Sequence, residues 1–459
     1  MQIHFIAIGG AAMHNLAIAL HLKGNIVTGS DDEIFEPSKS RLDKYGLLPK
    51  SFGWFPEKLS VNTDAVILGM HARADNPELL RAKELSLPIY SYPEYLYEQS
   101  KNKIRVVIGG SHGKTTITAM VLHVLEELGY SPDYMVGSKL DGFEVMVKLS
   151  DESKIMVLEG DEYLSSPIDR RPKFHLYKPN IALLSGIAWD HMNVFPTFEN
   201  YKEQFAIFIS LIEKDGTLVF SSSDKNVVEL AKNRRKDINA FAYHECDSII
   251  KEGKTFIIYE AKRYELQVFG KHNLQNINGA RYVCQALGVN PPDFFNAITS
   301  FAGTSNRLEL IGKNKNTVIY KDFAHSPSKL KATTSAVKEQ FGDYKLLACM
   351  ELHTFSSLNK AFLSQYAGAM DKADIPIVYF NPHTLEHKKL PSISADEVKQ
   401  AFDNDNLMVF TDASQLQEFL LTQKWYKMNL LLMSSGNFGG MNYKALAEDV
   451  LNSTESRVR

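Results

Sequence analysis

The chain has 459 residues, a length that favours three domains at about 150 residues each. Its 44% hydrophobic and 23% charged residues exclude an intrinsically disordered chain, and its three cysteines, Cys246, Cys284 and Cys349, are too far apart for a disulfide framework. The net charge of −3 argues against a nucleic-acid partner, and a short apolar N-terminus without Lys or Arg argues against export or membrane insertion, so a cytoplasmic protein is predicted.

The first hundred residues alternate short apolar runs with helical patterns, starting with the strand HFIAI. This alternation predicts a parallel sheet with helices on its faces, in which ligands bind beyond the carboxyl ends of the strands. A polar stretch at residues 97–103 is predicted to be a linker to the next unit.

The second unit begins with a buried strand, IRVVIGG, followed by a glycine-bearing loop and a helical pattern that ends at Gly129. Such a loop directs backbone N–H groups and a helix N-terminus at phosphate oxygens, while Lys114 adds a positive charge and the Thr115 hydroxyl can bind Mg²⁺. Ile108 stands where the strict Walker pattern has glycine, so the loop is a variant P-loop. The predicted phosphate-binding residues are Gly110, Ser111, His112, Gly113, Lys114, Thr115 and Thr116.

Acidic residues follow the next strand, MVLEGDE, and Mg²⁺ at a P-loop needs oxygen ligands of this kind. Glu159 is the favoured ligand, although a lone loop acid is more often simply solvated. A further strand ends at Asp190 and His191, where an imidazole can bind a metal, contact a phosphate or be purely structural. Later strand patterns predict a third α/β unit, with the boundary near residue 311.

Taken together, these motifs resemble the Mur ligase family over nearly the whole chain. The resemblance implies an α/β, three-domain Mur ligase architecture, with Rossmann-like N-terminal and C-terminal domains and a central P-loop ATPase domain. Residues 1–102 would bind a UDP-linked substrate, residues 103–311 would bind ATP, and residues 312–459 would bind the amine substrate and close on ATP.

Three stretches of the first domain resemble the family's UDP-binding loops. They are HFIAIGGAAMHNLA, the GSD after the second strand, and HARADNPE, and the residues implied as UDP contacts are Gly9, Gly10, Ser30, Asp31, His71 and Arg73. Ala11 and Ala12 stand where the family usually keeps one more glycine.

Further motifs imply the nucleotide site. GGSHGKTT and EGDEY are similar to the family's GTHGKTT and EADE, which implies that Thr115, Glu159 and His191 hold the metal. GKHNLQNINGA implies adenine contacts by Asn273 and Asn276, which lie on one helix face, although surface polarity is the alternative. The other implied residues are Arg307 at the ATP phosphates, Asp322 at the ribose and His325 near the reacting groups, and the implied catalytic set is Lys114, Glu159, His191, Arg307 and His325.

The segments DEYLSSPIDRRPKFHLYKPN, DHMNVF and GNFGGMNYKAL look most like the family members that recycle peptidoglycan. Those family members join UDP-N-acetylmuramate to the tripeptide L-alanyl-γ-D-glutamyl-meso-diaminopimelate through an acyl phosphate, with ATP and Mg²⁺. Members that add later residues carry a carbamoylated lysine near the position of Ala206. Glu351 and His353 lie where the family contacts the amine, Ser326 replaces a family histidine, and the usual carboxylate-binding arginine is absent.

The principal alternative is a UDP-N-acetylmuramate L-alanine ligase of de novo synthesis. A non-catalytic UDP-sugar-binding sensor is disfavoured because Lys114 and Glu159 are present. A GTPase switch lacks a guanine-reading NKxD motif, and a folate polyglutamate ligase has no use for a UDP-binding domain. The expected partners are small molecules, and the expected state is a monomer or weak homodimer.

Overall fold

The computed structural model describes residues 1–70, 72–137, 143–189, 194–304 and 307–455. The chain divides into two compact units, of which the first comprises Met1–Cys246 and Gln275–Ile298 and the second Asp247–Leu274 and Thr299–Arg459. In the described part of the chain, no helix is both long enough and apolar enough to span a bilayer.

The first unit opens with a parallel four-stranded sheet. Its strands are β1 (Gln2–Ile6), β2 (Ile26–Ser30), β3 (Ala65–Leu68) and β4 (Ile89–Ser91), and its helices are α1 (Met13–Leu22), α2 (Ser38–Lys44), α3 (Pro77–Glu84) and α4 (Tyr92–Ser100). The strand order is β2-β1-β3-β4, and every neighbouring pair is parallel. The loops after β2, β1 and β3 therefore leave the sheet at one edge.

Helix α4 contradicts the first half of the predicted linker at residues 97–103. The Ser91 side chain accepts from the Glu94 N–H, and the Glu94 side chain accepts from the Ser91 N–H, which forms a capping box. Tyr95 and Leu96 are buried on the same helix, so packing and capping together outweigh the polar composition of its last turn.

A seven-stranded sheet completes the first unit. Its strands are β5 (Ile104–Gly109), β6 (Asp133–Met135), β7 (Val147–Lys148), β8 (Ile155–Glu159), β9 (Ile181–Leu184), β10 (Thr217–Ser221) and β11 (Asn239–Tyr243). The strand order is β11-β10-β9-β5-β8-β6-β7, and only the β6–β7 pair is antiparallel. Val106, Val107 and Ile108 of β5 are fully buried, as expected for a central strand covered on both faces.

Helices on this sheet include α5 (Lys114–Glu127), α6 (Phe198–Ser210), α7 (Lys225–Lys232) and α9 (Pro291–Ile298). Helix α8 (Lys271–Ala286) starts in the second unit and continues into the first from Gln275. Helix α5 follows β5 directly, so the loop between them lies at the carboxyl edge of the sheet.

The second unit holds two sheets. The smaller is an antiparallel meander of β12 (Ser248–Lys251), β13 (Lys254–Tyr259) and β14 (Lys262–Leu266). The larger contains β15 (Glu309–Lys313), β16 (Val318–Asp322), β17 (Lys345–Glu351), β18 (Ile375–Tyr379), β19 (Met408–Phe410) and β20 (Met428–Met433). Its order is β15-β16-β20-β17-β18-β19, and only β15 runs antiparallel to its neighbour.

The helices of the second unit are α10 (Pro327–Gln340), α11 (Lys360–Leu363), α12 (Pro382–His387), α13 (Ala395–Phe402), α14 (Ala413–Thr422) and α15 (Tyr443–Glu455). The carboxyl ends of β16, β20 and β17 are neighbours in this sheet. The α/β class with largely parallel sheets, predicted from the alternating pattern, is confirmed.

Candidate active site

The segment from the end of β5 into the first turn of α5, residues 110–116, is called the phosphate loop below. Its backbone requires glycine at two positions. Gly110 has a φ of +122° and Gly113 a φ of +78°, both in the region that side chains disfavour. A Cβ atom at Gly113 would also lie 2.6 Å from the Asn276 Oδ1 atom. The sequence-predicted adenine residue Asn276 thus lies directly against the phosphate loop, within the first unit.

Lys114 is the first residue of α5, and its ammonium group stays inside the loop. Its Nζ donates to the Gly110 carbonyl at 2.7 Å and to the Glu162 carboxylate at 2.7 Å. Burial alone would lower the pKa of Lys114, but the charge of Glu162, together with Asp161 and Glu159, raises it above the ordinary lysine value. The lysine is therefore a permanent cation at neutral pH.

Glu159 ends β8 beside the phosphate loop, and only 7% of its surface is exposed. It accepts hydrogen bonds from the Thr115 hydroxyl and the Gly137 N–H, each at 2.9 Å. Burial raises the pKa of Glu159, with the Gly137 bond and Lys114 acting in the opposite direction. A buried carboxylate whose direct donors are neutral is a good position for a cation.

These residues fit Mg²⁺ bound together with a nucleotide. Magnesium usually takes one or two protein oxygens and fills its shell with phosphates and water, and Glu159 and Thr115 supply such oxygens. Within the described residues there is no cluster of three or more His, Cys, Asp or Glu that would form an all-protein metal cage. His191, predicted as a metal ligand, lies outside the described residues.

A cavity of about 380 Å³ in the first unit opens beside Lys114 and Glu159. Ala11 and Asn15, which follow β1, line it as well. Near it, Lys173 pairs with Asp161 at 2.5 Å, and this ion pair lowers the pKa of Asp161 although burial alone would raise it. The cavity thus adjoins both the candidate UDP-binding loop and the phosphate loop.

The candidate UDP-binding residues gather at the carboxyl edge of the first sheet. The Gly9 N–H donates to the Asp31 carboxylate at 2.7 Å, and burial raises the pKa of Asp31 to about 6 against the effect of that bond. The Ser30 hydroxyl accepts from the Lys58 amine at 2.9 Å. Gly10 follows Gly9 in the same loop.

Arg73 follows β3 and is exposed. It lines a second cavity of about 430 Å³ together with Asp32, Trp54 and Asn76. His71, predicted as a UDP contact from the same loop, lies outside the described residues.

The phosphate loop is braced by neighbouring elements of the same unit. The Ser111 N–H donates to the Gly186 carbonyl at 2.9 Å, and the Ser185 hydroxyl donates to the His112 carbonyl. Thr116 is buried on the first turn of α5. The loop is thus held largely by hydrogen bonds of its backbone.

In the second unit, two predicted nucleotide residues lie near the carboxyl end of β16. Asp322 is buried and accepts from the Leu308 N–H at 2.7 Å and the Ala324 N–H at 2.6 Å. Burial raises its pKa, with these bonds opposing the effect. The Arg307 guanidinium lies 5.5 Å from the Phe323 ring centroid.

The other predicted residues of the second unit occupy the strand edge and the start of α8. The His325 Nδ1 is 2.8 Å from the Phe323 carbonyl, and Asn273 donates from its amide to the Phe269 carbonyl at 2.9 Å. Ser326 precedes α10 without a side-chain capping bond. Loss of hydration is the main cause that lowers the pKa of the half-buried His272 to about 4, and the charge of Arg307 adds to this effect.

The candidate amine-binding residues end β17. Glu351 is buried and accepts from the Phe438 N–H at 2.9 Å and from the Ser434 hydroxyl. His353 lies 3.8 Å from Glu351 by its Nδ1 atom, and its side chain is 39% exposed. A side chain at Gly436 would run into both residues, since its Cβ would lie 2.8 Å from each.

Glu162 and Tyr201 contact the phosphate loop. The sequence placed Glu162 among the acids after β8 that could bind Mg²⁺, but it predicted neither its pairing with Lys114 nor any role for Tyr201. The Tyr201 hydroxyl donates to Glu162 at 3.0 Å and is 3.1 Å from the Ser111 hydroxyl. Helical spacing of Tyr201, Phe205 and Phe208 was a signal that Tyr201 is buried, and a buried tyrosine hydroxyl usually has a partner. The identity of that partner is set by tertiary structure.

Three family models match consecutive parts of the chain. They are described as the Mur ligase family catalytic domain at residues 2–103, the Mur ligase middle domain at residues 108–284, and the Mur ligase glutamate ligase domain at residues 306–436.

Curated relatives cover almost the whole chain. A UDP-N-acetylmuramate–L-alanine ligase of Caldanaerobacter subterraneus is 29% identical over 98% of this chain and 98% of that protein. A UDP-N-acetylmuramate–L-alanyl-γ-D-glutamyl-meso-2,6-diaminoheptandioate ligase of Escherichia coli is 26% identical over 97% of this chain and 98% of that protein. The crystal structure of UDP-N-acetylmuramate-alanine ligase MurC of Thermotoga maritima covers all of both chains with a TM-score of 0.67 and 21% identity, which supports the fold alone.

Proposed function

We propose a specific reaction for this chain, because it belongs to the Mur ligase family. Members of this family share a three-domain fold and are ATP-dependent ligases that form carbon–nitrogen bonds. The proposed reaction joins UDP-N-acetylmuramate to the tripeptide L-alanyl-γ-D-glutamyl-meso-diaminopimelate. The reaction proceeds through an acyl phosphate and serves peptidoglycan recycling. The proposed domains are residues 1–102 for the UDP substrate, 103–311 for ATP and 312–459 for the amine.

One observation carries the assignment to a carboxylate-activating reaction. The cavity beside Lys114 and Glu159 is also lined by Ala11 and Asn15, next to the candidate UDP-binding loop. A carboxylate attached to a UDP-sugar would there lie next to the group that binds the terminal phosphates. Such proximity makes the attack on phosphorus effectively intramolecular.

The chemistry needs activation because a carboxylate and an amine form only a salt in water. The muramate carboxylate attacks the γ-phosphorus of ATP in line, the bond from that phosphorus to the β–γ bridging oxygen breaks, and ADP leaves. Lys114 and Arg307 neutralise the charge that accumulates on the phosphoryl oxygens. Glu159 and Thr115 would hold Mg²⁺, which would neutralise more of that charge when bound. The amine then attacks the acyl carbon and phosphate departs, with His325 accepting a proton or positioning the amine.

Other roles follow the family motifs. Gly110 to Thr116 bind the ATP phosphates by backbone N–H groups, Asn273 and Asn276 bind the adenine, and Asp322 binds the ribose. The proposed UDP-substrate contacts are Gly9, Gly10, Ser30, Asp31, His71 and Arg73, and His191 is a proposed metal residue.

The composition of helix α6 supports a muramate-carboxylate ligase over the members that act later. Those members use a carbamoylated lysine near the position of Ala206. Lys202 is the sole lysine of α6, and its amine pairs with Glu229 at 2.6 Å. The helix therefore offers no lysine at the corresponding place.

The second candidate is an L-alanine ligase with the same acyl substrate. It is favoured by the relative from Caldanaerobacter subterraneus, which carries that name at 29% identity. The sequence segments after Glu159 and near the C-terminus favour the tripeptide ligase. The two candidates differ only in the amine that attacks the acyl phosphate.

The purified protein with ATP, Mg²⁺ and UDP-N-acetylmuramate tests both candidates when L-alanine and the tripeptide are supplied separately. Phosphate release is followed together with the mass of the product. We expect release and a new amide product with the tripeptide. Product with L-alanine alone assigns the enzyme to de novo synthesis, and no product with either amine refutes the proposed reaction.

A further inference from the structure

Glu162 pairs with Lys114, the residue that is proposed to bind the nucleotide phosphates. Its Oε2 atom lies 2.7 Å from the Lys114 Nζ atom, and only 1% of the Glu162 side chain and 16% of the Lys114 side chain are exposed. An ion pair this deeply buried is hard to separate unless each partner receives a replacement. A phosphate oxygen is such a replacement for Lys114 but not for Glu162.

Tyr201 supplies a second partner for the same carboxylate. Its hydroxyl donates to the Glu162 Oε1 atom at 3.0 Å and is fully buried. Tyr201 is held in place by edge contacts with Phe205 at 5.1 Å and tilted contacts with Phe195 at 5.4 Å between ring centroids. The phenol therefore remains next to Glu162 when other groups around the loop change partners.

The same phenol also reaches the phosphate loop. Its oxygen is 3.1 Å from the Ser111 hydroxyl, which in turn accepts from the Ala188 N–H at 2.8 Å. Since the phenol donates to Glu162, the Ser111 hydroxyl donates to the phenol. A chain of hydrogen bonds thus runs from Ser111 through Tyr201 to Glu162 and ends at Lys114.

We propose that Glu162 is the resting counter-ion of Lys114, which nucleotide phosphate must displace, and that Tyr201 is a positioning residue that stabilises Glu162 once Lys114 has moved to the phosphate. The inference rests on the proposed binding of ATP phosphates at Lys114. It gives Glu162 and Tyr201 opposite effects on nucleotide affinity. Without its charge, residue 162 no longer competes with the phosphate for Lys114, so nucleotide affinity should rise. Without the Tyr201 hydroxyl, Glu162 has lost a hydrogen-bond donor when Lys114 moves to the phosphate, so nucleotide affinity should fall.

The first variant is Glu162→Gln. Gln keeps an oxygen that accepts from Tyr201 but carries no charge to hold Lys114. We expect the dissociation constant of the Mg²⁺ complex of a methylene-bridged ATP analogue to fall about three- to tenfold, which is the net worth of one typical hydrogen bond. Glu126→Gln is the matched control, because Glu126 lies on helix α5 near the end opposite to Lys114, and it should leave this constant unchanged.

The second variant is Tyr201→Phe. It preserves the aromatic packing and removes the donor to Glu162, so the dissociation constant should rise about three- to tenfold. Tyr243→Phe is the matched control, because Tyr243 is also buried in the first unit and its hydroxyl has no partner among the described residues. In the double variant the effect of Tyr201→Phe should largely vanish, since no carboxylate is left for the phenol to stabilise.

Calorimetric titration of the analogue into each full-length variant measures these constants, and thermal unfolding of each variant checks that it is folded. A purely structural role for both residues predicts weaker binding in both single variants, and that result overturns the inference. Equal affinities in all variants do the same. If the wild-type protein turns over UDP-N-acetylmuramate but the two single variants do not change the dissociation constant in opposite directions, only this inference is refuted. If the wild-type protein shows no turnover, the proposed reaction is refuted.

Discussion

At the scale of single residues, Lys114 is the side chain whose removal should separate chemistry from substrate binding. Lys114→Ala deletes the ammonium group that is proposed to neutralise the transferred phosphoryl oxygens, so turnover should fall at least about 100-fold. Binding of UDP-N-acetylmuramate should change far less, because its proposed contacts lie after β1, β2 and β3. Steady-state phosphate release and equilibrium binding measure the two effects.

Lys148→Ala is the matched control for that experiment, because Lys148 is on the short strand β7 of the same sheet and contacts Ser131 rather than the loop. It should retain wild-type turnover. A Lys114→Ala protein with normal turnover would remove the phosphate loop from the mechanism.

Glu159 should govern the response to magnesium. Glu159→Gln keeps the shape of the side chain but loses the negative charge, so the Mg²⁺ concentration for half-maximal turnover should rise at least about tenfold. Titration of Mg²⁺ at saturating ATP measures this. An unchanged titration curve would place the metal elsewhere, and addition of EDTA to the wild-type enzyme should stop turnover.

Glu78 predicts a pH effect on stability. It is fully buried, and its Oε2 atom lies 3.2 Å from the His4 Nε2 atom while Oε1 accepts from the Phe55 N–H at 2.7 Å. Burial would raise the pKa of Glu78, but the bond with His4 and the other donors lower it below the ordinary value. A carboxyl with a lowered pKa stabilises the fold above its unfolded pKa and loses this effect as the pH falls through the folded pKa.

Glu78→Gln should therefore be less stable than wild type at pH 7 by about 1–3 kcal/mol, and the difference should shrink as the pH falls below about 4.5. Chemical unfolding at several pH values measures this. Glu84→Gln, an exposed position at the end of α3, should leave the profile unchanged. A constant difference across the range would contradict the assigned ionisation.

At the scale of elements, the turn into helix α5 can be tested by comparing two glycines with similar positive φ angles. Gly113 has a φ of +78° at the start of α5, and Gly129 has a φ of +80° just beyond its end. An added Cβ meets the Asn276 side chain at Gly113 but no atom within 4 Å at Gly129. Backbone strain is therefore similar at the two sites, and the steric contact is not.

Both Gly113→Ala and Gly129→Ala should lower stability by about 1 kcal/mol. Gly113→Ala alone should weaken binding of the ATP analogue, because its methyl group displaces Asn276 next to the phosphate loop. Calorimetric titration and unfolding of the two proteins separate the effects. Equal affinities would show that the loop tolerates the methyl group.

Local elements were predictable where the sequence carries a complete signal. The apolar run before Gly110, the glycines of the loop and the helical period after Lys114 together predicted the order of β5, loop and α5. Helix α4 was missed because its last turn is polar and its stability comes from the capping box and from buried Tyr95. The antiparallel β12–β14 meander was not predicted, since its short strands have mixed burial patterns.

The candidate site was predictable only in part, because some of its contacts join residues that are distant in the sequence. Glu159 could be selected because it ends a buried strand in the domain of the loop. Glu162 pairs with Lys114, 48 positions away along the chain, and with Tyr201, 39 positions away. No local sequence pattern encodes such contacts. The roles of His71 and His191 stay predictions, since both lie outside the described residues.

At the scale of the whole molecule, charge at the phosphate loop links nucleotide binding to the divalent ion. The carboxylates of Glu159, Asp161 and Glu162 outnumber the amines of Lys114 and Lys173 by one. A nucleotide without its metal adds further negative charge to this surplus. The Mg²⁺ complex of the ATP analogue, at 100 times its dissociation constant, should stabilise the protein by about 2.7 kcal/mol.

The same concentration of analogue in EDTA should give little stabilisation. Thermal unfolding with and without EDTA measures the difference, and Lys114→Ala should show a reduced response in both conditions. Equal stabilisation by the free and metal-bound analogue would contradict this reading of the charge surplus.

The ion pair between Lys114 and Glu162 also bears on selectivity among anions. An empty loop whose lysine is already neutralised attracts sulfate, inorganic phosphate or citrate only weakly. A triphosphate reaches the backbone N–H groups of the whole loop at once, and those added contacts offset the separation of the pair. The resting protein should consequently resist inhibition by the small anions of its surroundings, including the phosphate that each turnover releases.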